Sequence, residues 1–327
     1  MKTAENSVSP MSKTKGQGLD VSVIIPVWNR WQELNRLLLS LSAQQGCVFE
    51  IIVVDDMSDD MTRKMVRQDF PEVLLLENAS RLGPSLSRNR GIMQAGGRYI
   101  LFLDSDAVLD RPGILASLCA FYDVHPEAGC VGGERRPAEK GRVYGRMINC
   151  VGGSRPFLMP DTPGSFARCD FLATCCCMVQ REVAQAVGGF DPGFVFGGED
   201  KDLGHRVGAA GYVNYVVADG SALHMHSSAG RHHDETFRYH LTAARFAVKS
   251  FSKLRLCLAC AVSLSRSVLF YLLLPGKVFF LRMQGRGPAR VHWAGGWWLL
   301  TAWARVLTDM KKIRGGMKKN FLEQREP

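Results

Sequence analysis

The chain has 327 residues, 46% of them hydrophobic and 22% charged, a composition that excludes disorder over the whole length and suffices for one large core, or one core with a small appended unit. Its net charge of +10 is unevenly placed: residues 251–327 carry 14 Lys/Arg against 3 Asp/Glu, and residues 1–250 carry 27 against 28. The basicity therefore belongs to the C-terminal quarter.

Residues 1–20 are polar, read as a flexible tail, and lack the apolar run of a signal peptide, so a cytoplasmic location is the default expectation. VSVIIPV at 21–27 is a continuous, β-branched apolar run, the pattern of a strand covered on both faces. From Trp31 to Gln45, Leu34, Leu37, Leu38 and Leu41 fall at helical spacing, and Gly46 stands at the C-cap position. The cycle then repeats: a strand at 49–54, a polar helix at about 59–68, a strand at 73–78, a helix from Pro84 toward Ala95, and a strand at 98–104. Four βα units predict an α/β fold with a doubly wound, mostly parallel sheet. A further helix is expected from beyond Pro112 to about Tyr122. Residues 130–165 are rich in Gly and Pro, with short strand candidates and no clear period. Strands are expected at Phe171–Gln180 and Tyr212–Val217, separated by a helix from Glu199 to Ala210 that Gly211 ends.

Ten cysteines do not imply disulfides. Cys175, Cys176 and Cys177 lie in an apolar run and read as small hydrophobic filler. Cys257 and Cys260 have half-zinc spacing, but the second pair that a zinc ribbon needs is missing.

In an open parallel sheet, ligands bind beyond the carboxyl ends of the strands. The residues there are Trp28-Asn29-Arg30, Asp55-Asp56, Asn78 to Arg81, and Asp104-Ser105-Asp106. No glycine fingerprint of a dinucleotide site follows the first strand, and no GxxxxGK[ST] phosphate loop is present. Asp104 and Asp106, two apart on extended backbone, can point to one side and suit Mg2+ or Mn2+, with a diphosphate as the natural third partner. Alone, Asp-Ser-Asp could equally begin a helix, with Asp106 or Asp110 as the cap. Its place at the end of the most apolar strand favours the metal, because two close carboxylates repel without a cation.

VSVIIPVWNR, EIIVVDDMSDD, SRNRGIMQAGGRYILFLDSD and GGFDPGFVFGGEDKDLGHR occur in the order and spacing of glycosyltransferase family 2, and the resemblance covers residues 20–245. It implies a GT-A fold, an inverting, non-processive transfer, and a nucleoside-diphosphate sugar donor. By the same resemblance Pro26, Asn29 and Asp56 belong to the nucleotide-sugar pocket, Asp56 near the nucleobase, with Asp55 serving either that contact or the turn itself. Met57 stands where the family has glycine. Arg88 resembles a position near the donor, its alternative being an exposed helix arginine. Asp104 and Ser105 border the donor, and Asp104, Asp106 and His224, or alternatively His226, hold the metal. Glu199 and Asp200 match the family's acidic pair, Asp200 acting as base toward the acceptor hydroxyl. The implied division is a nucleotide-sugar half at 21–110 and an acceptor half at 111–250.

Residues 254–274 approach the length of a membrane span, but Arg255 and Arg266 would be costly at mid-bilayer and Pro275 follows. Four tryptophans at 293–303 precede Lys311, Lys312, Arg314, Lys318 and Lys319. Residues 251–327 are read as basic, tryptophan-rich helices lying on the inner membrane surface; the alternative is that they pack on the catalytic domain. The expected partners are the sugar nucleotide, a lipid-linked or glycan acceptor and the membrane surface, with no nucleic acid. Two competing functions are a nucleotidyltransferase that makes sugar nucleotides and a silent binding module of the same fold. The first lacks its Gly-rich loop after strand one, and intact Asp104, Asp106 and Asp200 oppose the second. A processive synthase lacks its Gln-x-x-Arg-Trp segment.

Overall fold

A computed structural model describes residues 18–149, 152–194, 197–225, 235–265, 301, 303–310 and 313. In chain order the elements are β1 (Val21–Val27), α1 (Trp31–Ser42), β2 (Phe49–Asp55), α2 (Thr62–Asp69), β3 (Leu74–Glu77), α3 (Pro84–Gln94) and β4 (Tyr99–Phe102). There follow β5 (Ala107–Val108), α4 (Ile114–Val124), β6 (Ala128–Gly132), β7 (Glu134–Arg135), β8 (Arg142–Ile148), β9 (Ser154–Pro160) and β10 (Phe166–Cys169). The last are β11 (Cys177–Gln180), α5 (Arg181–Ala186), α6 (Glu199–Ala209), β12 (Val213–Val217), β13 (Ala222–His224) and α7 (Glu235–Ser250).

The main sheet has the order β10-β12-β6-β11-β4-β1-β2-β3, and a smaller one the order β5-β13-β7-β8-β9. β1 is parallel to β2 and β4, and β2 to β3, as the four βα units predict. β11 runs antiparallel between β4 and β6, and β10 antiparallel to β12, so the sheet beyond β4 is mixed rather than parallel. The core lies on both faces. Val23, Ile25 and Val27 join Leu34, Leu37, Leu38 and Leu41 of α1 on one side, while Ile24 joins Ile92, Phe102 and Phe190 on the other, the alternation that a strand imposes. α3 comes so close to β1 that a Cβ at Gly91 would lie 2.5 Å from Ile24 Cγ2.

Two expectations are corrected, and one stretch without an assignment is filled in. The predicted strand at 171–180 holds only from Cys177; before it, Ala173–Cys176 turn, the Cys176 N–H donating to Ala173 O at 3.3 Å. The second helix starts at Thr62 because the Asp59 N–H donates to Asn29 and Asp60 caps the Thr62 N–H. The unassigned stretch 130–165 supplies β7, β8 and β9, a hairpin with β8 and β9 paired from Arg142↔Pro160 to Ile148↔Ser154.

A third cluster joins Phe194, Phe246 and Phe251 to Leu256, Ala259, Trp303, Val306 and Ile313, so described parts of the C-terminal quarter pack on α7. The helical residues 253–265 nonetheless leave Leu254, Leu258 and Leu264 exposed. Trp293, Trp297 and Trp298 lie outside the described residues. Among the described residues no helix is long and apolar enough to cross a membrane. Cys175, Cys176 and Cys177 are buried free thiols, and Cys257 and Cys260 are also free.

Candidate active site

The carboxyl ends of β1, β2 and β4, with the start of α3, border a cleft of about 640 Å³. Pro26, Asn29, Asp56, Arg88, Asp104, Ser105, Asp106 and His224 all line it. Residues expected separately from four stretches of sequence thus meet at one space. Pro26 is tolerated because β1 runs beside β4 only through Ile24, so the missing N–H lies past the end of that ladder.

Asn29 adopts φ 51°, a conformation Asn tolerates better than most residues. Its N–H donates to Ser58 Oγ at 3.0 Å, its Oδ1 accepts from the Asp59 N–H at 2.9 Å, and its Nδ2 donates to the Asp59 carboxylate. Asn29 therefore ties the loop after β1 to the loop after β2. Asp55 Oδ1 accepts from the Ser58 N–H at 2.9 Å, so Asp55 shapes the turn in which Met57 takes φ 64°. Asp56 accepts from Leu82 N–H (2.7 Å), Gly83 N–H (3.0 Å), Asn78 Nδ2 (2.8 Å) and Arg81 Nε (3.3 Å). Four donors meet its two oxygens, so Asp56 braces residues 78–83, and a nucleobase N–H would have to displace one of them. Arg81 also lies over the Trp28 ring at the cleft, 3.5 Å from its centroid.

Arg88 is neither an exposed helix arginine nor a free cation. Its side chain is 4% exposed; Nη2 donates to Asp104 Oδ1 at 2.7 Å and Nη1 to Glu199 Oε1 at 3.1 Å. Burial works against its charge, but Asp104 and Glu199 outweigh burial and raise its pKa. Arg88 thereby joins two carboxylates 95 positions apart in sequence.

β5 pairs antiparallel with β13, His224 opposite Ala107. This brings His224 Nε2 to 3.2 Å from Asp106 Oδ1, while Arg30 Nη1 donates to Asp106 Oδ2 at 3.2 Å. Asp104, Asp106 and His224 each offer a ligand atom, all within 4.8 Å of one another. Two carboxylates and an imidazole suit Mg2+ or Mn2+. Arg88 and Arg30 each meet one of those carboxylates, so their charge is compensated from the surrounding protein. Burial opposes protonation of His224, but Asp106, Cys175 and Glu134 together push it up to about 12. His226 lies outside the described residues.

Glu199 and Asp200 open α6 behind Gly198, which takes φ 90°. Glu199 is buried and turned toward Arg88; burial, then the neighbouring Asp200 carboxylate, push it up to about 7. Asp200 is half-buried, its Oδ1 accepting from the Lys201 N–H at 2.7 Å. Burial raises its pKa against the backbone hydrogen bond and nearby Arg146. Neither residue lines the cleft, so the acidic pair is a second corner, joined to the first through Arg88.

Glu134 and Thr174 were not singled out by sequence; Arg30 and Arg81 were placed after strands one and three but given no role. Glu134 lies in the aperiodic stretch, and Thr174, 3.4 Å from Asp104 Oδ1, in a supposed strand.

Residues 22–188 match the sequence model of glycosyl transferase family 2. The chain is 28% identical over 252 residues to an N-acetylglucosaminyl-diphospho-decaprenol L-rhamnosyltransferase of Mycobacterium tuberculosis, covering 66% of this chain and 82% of that protein. It is 37% identical over 110 residues to the poly(ribitol-phosphate) beta-N-acetylglucosaminyltransferase TarS of Staphylococcus aureus, 32% of this chain and 19% of that one. Among solved structures, a mannosyltransferase from Pyrobaculum calidifontis in complex with GDP-Man and Mn2+ superposes with a TM-score of 0.58 at 18% identity, covering 90% of this chain and 88% of that chain. The S. aureus TarS structure gives 0.55 at 17% identity, covering 91% and 55%. These likenesses show the GT-A fold. The match over residues 22–188, half of the chain, shows that this protein belongs to glycosyl transferase family 2 and is a nucleotide-sugar-dependent glycosyltransferase.

Proposed function

We propose that the protein transfers one sugar, with inversion, from a nucleoside-diphosphate sugar to a hydroxyl of a lipid-linked or polysaccharide acceptor, in a reaction that depends on Mg2+ or Mn2+. The observation that carries this reading is the convergence of Asp104, Asp106 and His224 on the wall of the 640 Å³ cleft. Those three would hold the ion, which when bound would offset the charge of the departing diphosphate. Pro26, Asn29, Asp56 and Ser105 shape the nucleotide-sugar pocket. Arg88 keeps Asp104 and Glu199 in place. Asp200 takes the proton of the acceptor hydroxyl as its oxygen attacks the anomeric carbon from the face opposite the nucleotide. A carboxylate at a helix N-terminus stays ionised more readily, which offsets part of the burial.

The acceptor class is proposed from two relatives, one named for a diphospho-decaprenol acceptor and one for poly(ribitol-phosphate). We assign residues 21–250 to the catalytic domain, with its nucleotide-sugar half at 21–110, and residues 251–327 to contact with the inner face of the cytoplasmic membrane. A screen of nucleoside-diphosphate sugars with Mg2+ or Mn2+, following nucleotide release with and without membrane lipid, tests the function. Metal-dependent release with one or a few donors is expected; no metal-dependent turnover with any donor would overturn it.

A further inference from the structure

We infer that Glu134 is a positioning residue of the metal corner: it holds the His224 ring by Nδ1, so that Nε2 is the nitrogen presented toward Asp104 and Asp106. The inference rests on the metal-dependent reading above. β7 and β13 are parallel neighbours with Glu134 opposite Ala222, and His224, two residues on, shares Ala222's face of the strand. Glu134 Oε1 lies 3.4 Å from His224 Nδ1, on the far side of the ring from Asp106.

The carboxylate is not free to follow the ring. Its side chain is 2% exposed; Oε1 also accepts from Arg136 Nε at 2.7 Å, and Oε2 from Arg146 Nη2 at 2.5 Å. Arg136 leaves the end of β7 and Arg146 stands on β8, so two elements fix the carboxylate before it meets the imidazole. An ionised carboxylate only accepts, so Glu134 requires the Nδ1 proton; Nε2, which here faces the Asp106 carboxylate, is the nitrogen whose proton a cation would replace. Glu134, Cys175 and His224 also bring ligand atoms within 4.8 Å. As a cation site of their own they are poor, since they offer a single carboxylate, both of whose oxygens already accept from Arg136 and Arg146, beside a buried thiol that suits Mg2+ or Mn2+ badly.

Mn2+ binding to the protein without donor, read by electron paramagnetic resonance of the unbound ion, tests this through a double-mutant cycle. Glu134→Ala should weaken Mn2+ binding about ten- to a hundredfold, the range for loss of a group that orients a ligating histidine. The same substitution in a His224→Ala background should add less than about twofold, because the effect runs through that ring. Glu134→Gln, which keeps one acceptor oxygen for the arginines, is measured alongside in case Glu134→Ala fails to fold. It should weaken binding about tenfold at the low end of that range. Wild-type affinity in Glu134→Gln, or an equal loss with and without His224, overturns the inference alone. A wild-type protein that binds no Mn2+ overturns both the inference and the metal-dependent reading on which it rests.

Discussion

Asp106 and Asp200 occupy different corners, so their neutral variants should fail differently. Asp106 meets His224 and Arg30 at the cleft, whereas Asp200 lies at the start of α6, outside it. Asp106→Asn is expected to abolish Mn2+-dependent donor binding. Asp200→Asn should leave donor affinity within about twofold and lower kcat about 10²- to 10⁴-fold, the usual weight of a general base. Calorimetric titration of donor and steady-state kinetics on both variants check the split; equal small losses would count against both roles. Glu199 offers a test that needs no substrate. Its pKa rises from 4.5 in the unfolded chain to about 7 in the fold, so the folded state binds more protons between those values. Its contribution to stability is therefore full below pH 4.5 and disappears as pH rises through 7. Across pH 5 to 8, the unfolding free energy of wild type should fall relative to Glu199→Gln, as measured by urea denaturation. A constant difference would show that Glu199 is already ionised beside Arg88.

Between elements, the seating of α6 depends on a buried charge cluster that periodicity does not reveal. Lys249 of α7 reaches Asp191 Oδ2 at 2.9 Å and Asp202 Oδ1 at 2.6 Å, and Arg206 Nη2 lies 2.8 Å from Asp202 Oδ2. Lys249 is 3% exposed and Asp202 fully buried. Lys249→Met would leave those carboxylates short of a cation and should cost about 3–5 kcal/mol. Disrupting the exposed Arg98–Asp123 pair by Arg98→Ala should cost less than about 1 kcal/mol. Denaturant midpoints of the two variants check the contrast, and a similar small loss in both would mean that the cluster does not hold α6. Sequence made β1, α1 and β2 legible because each buries one regular apolar pattern, and α3 because Pro84 marks its start, although α3 buries Ser85, Ser87, Arg88 and Asn89. Sequence also placed Asp104 and Asp106 at a strand end, and the family resemblance pointed to His224, or alternatively His226; the structure brings Asp104, Asp106 and His224 together. Sequence did not reveal Glu134, β7 to β9, or the Arg88 bridge. Their positions follow from long-range pairing, such as His224 opposite Ala107, that no local period encodes. The supposed strand from Phe171 failed for a related reason: apolar content alone could not tell the buried turn at Ala173–Cys176 from an extended run.

For the whole molecule, the open question of surface contact turns on the C-terminal quarter, where the two sequence readings prove compatible. Leu256, Ala259 and Trp303 pack into the cluster around α7, yet on the same helical segment Leu254 is 83% exposed, Leu258 56% and Leu264 53%. One side of residues 253–265 is thus held by protein and the other offers apolar side chains outward, with Lys253 and Arg255 beside Leu254. Such a face, on a quarter of the chain with 14 basic against 3 acidic residues, is suited to an anionic bilayer. Leu254→Glu combined with Leu258→Glu should reduce sedimentation with phosphatidylglycerol-containing vesicles at least tenfold, since each buried leucine is worth about 1.5–3 kcal/mol. The thermal midpoint should stay within a few degrees, because neither side chain is in the core. Wild-type binding should also weaken as salt is raised, as screening demands of an electrostatic share. If the double variant binds vesicles like wild type, this face is not the contact. If instead its midpoint collapses while binding is lost, the two leucines support the fold, and the membrane role must be sought in the basic end of the chain.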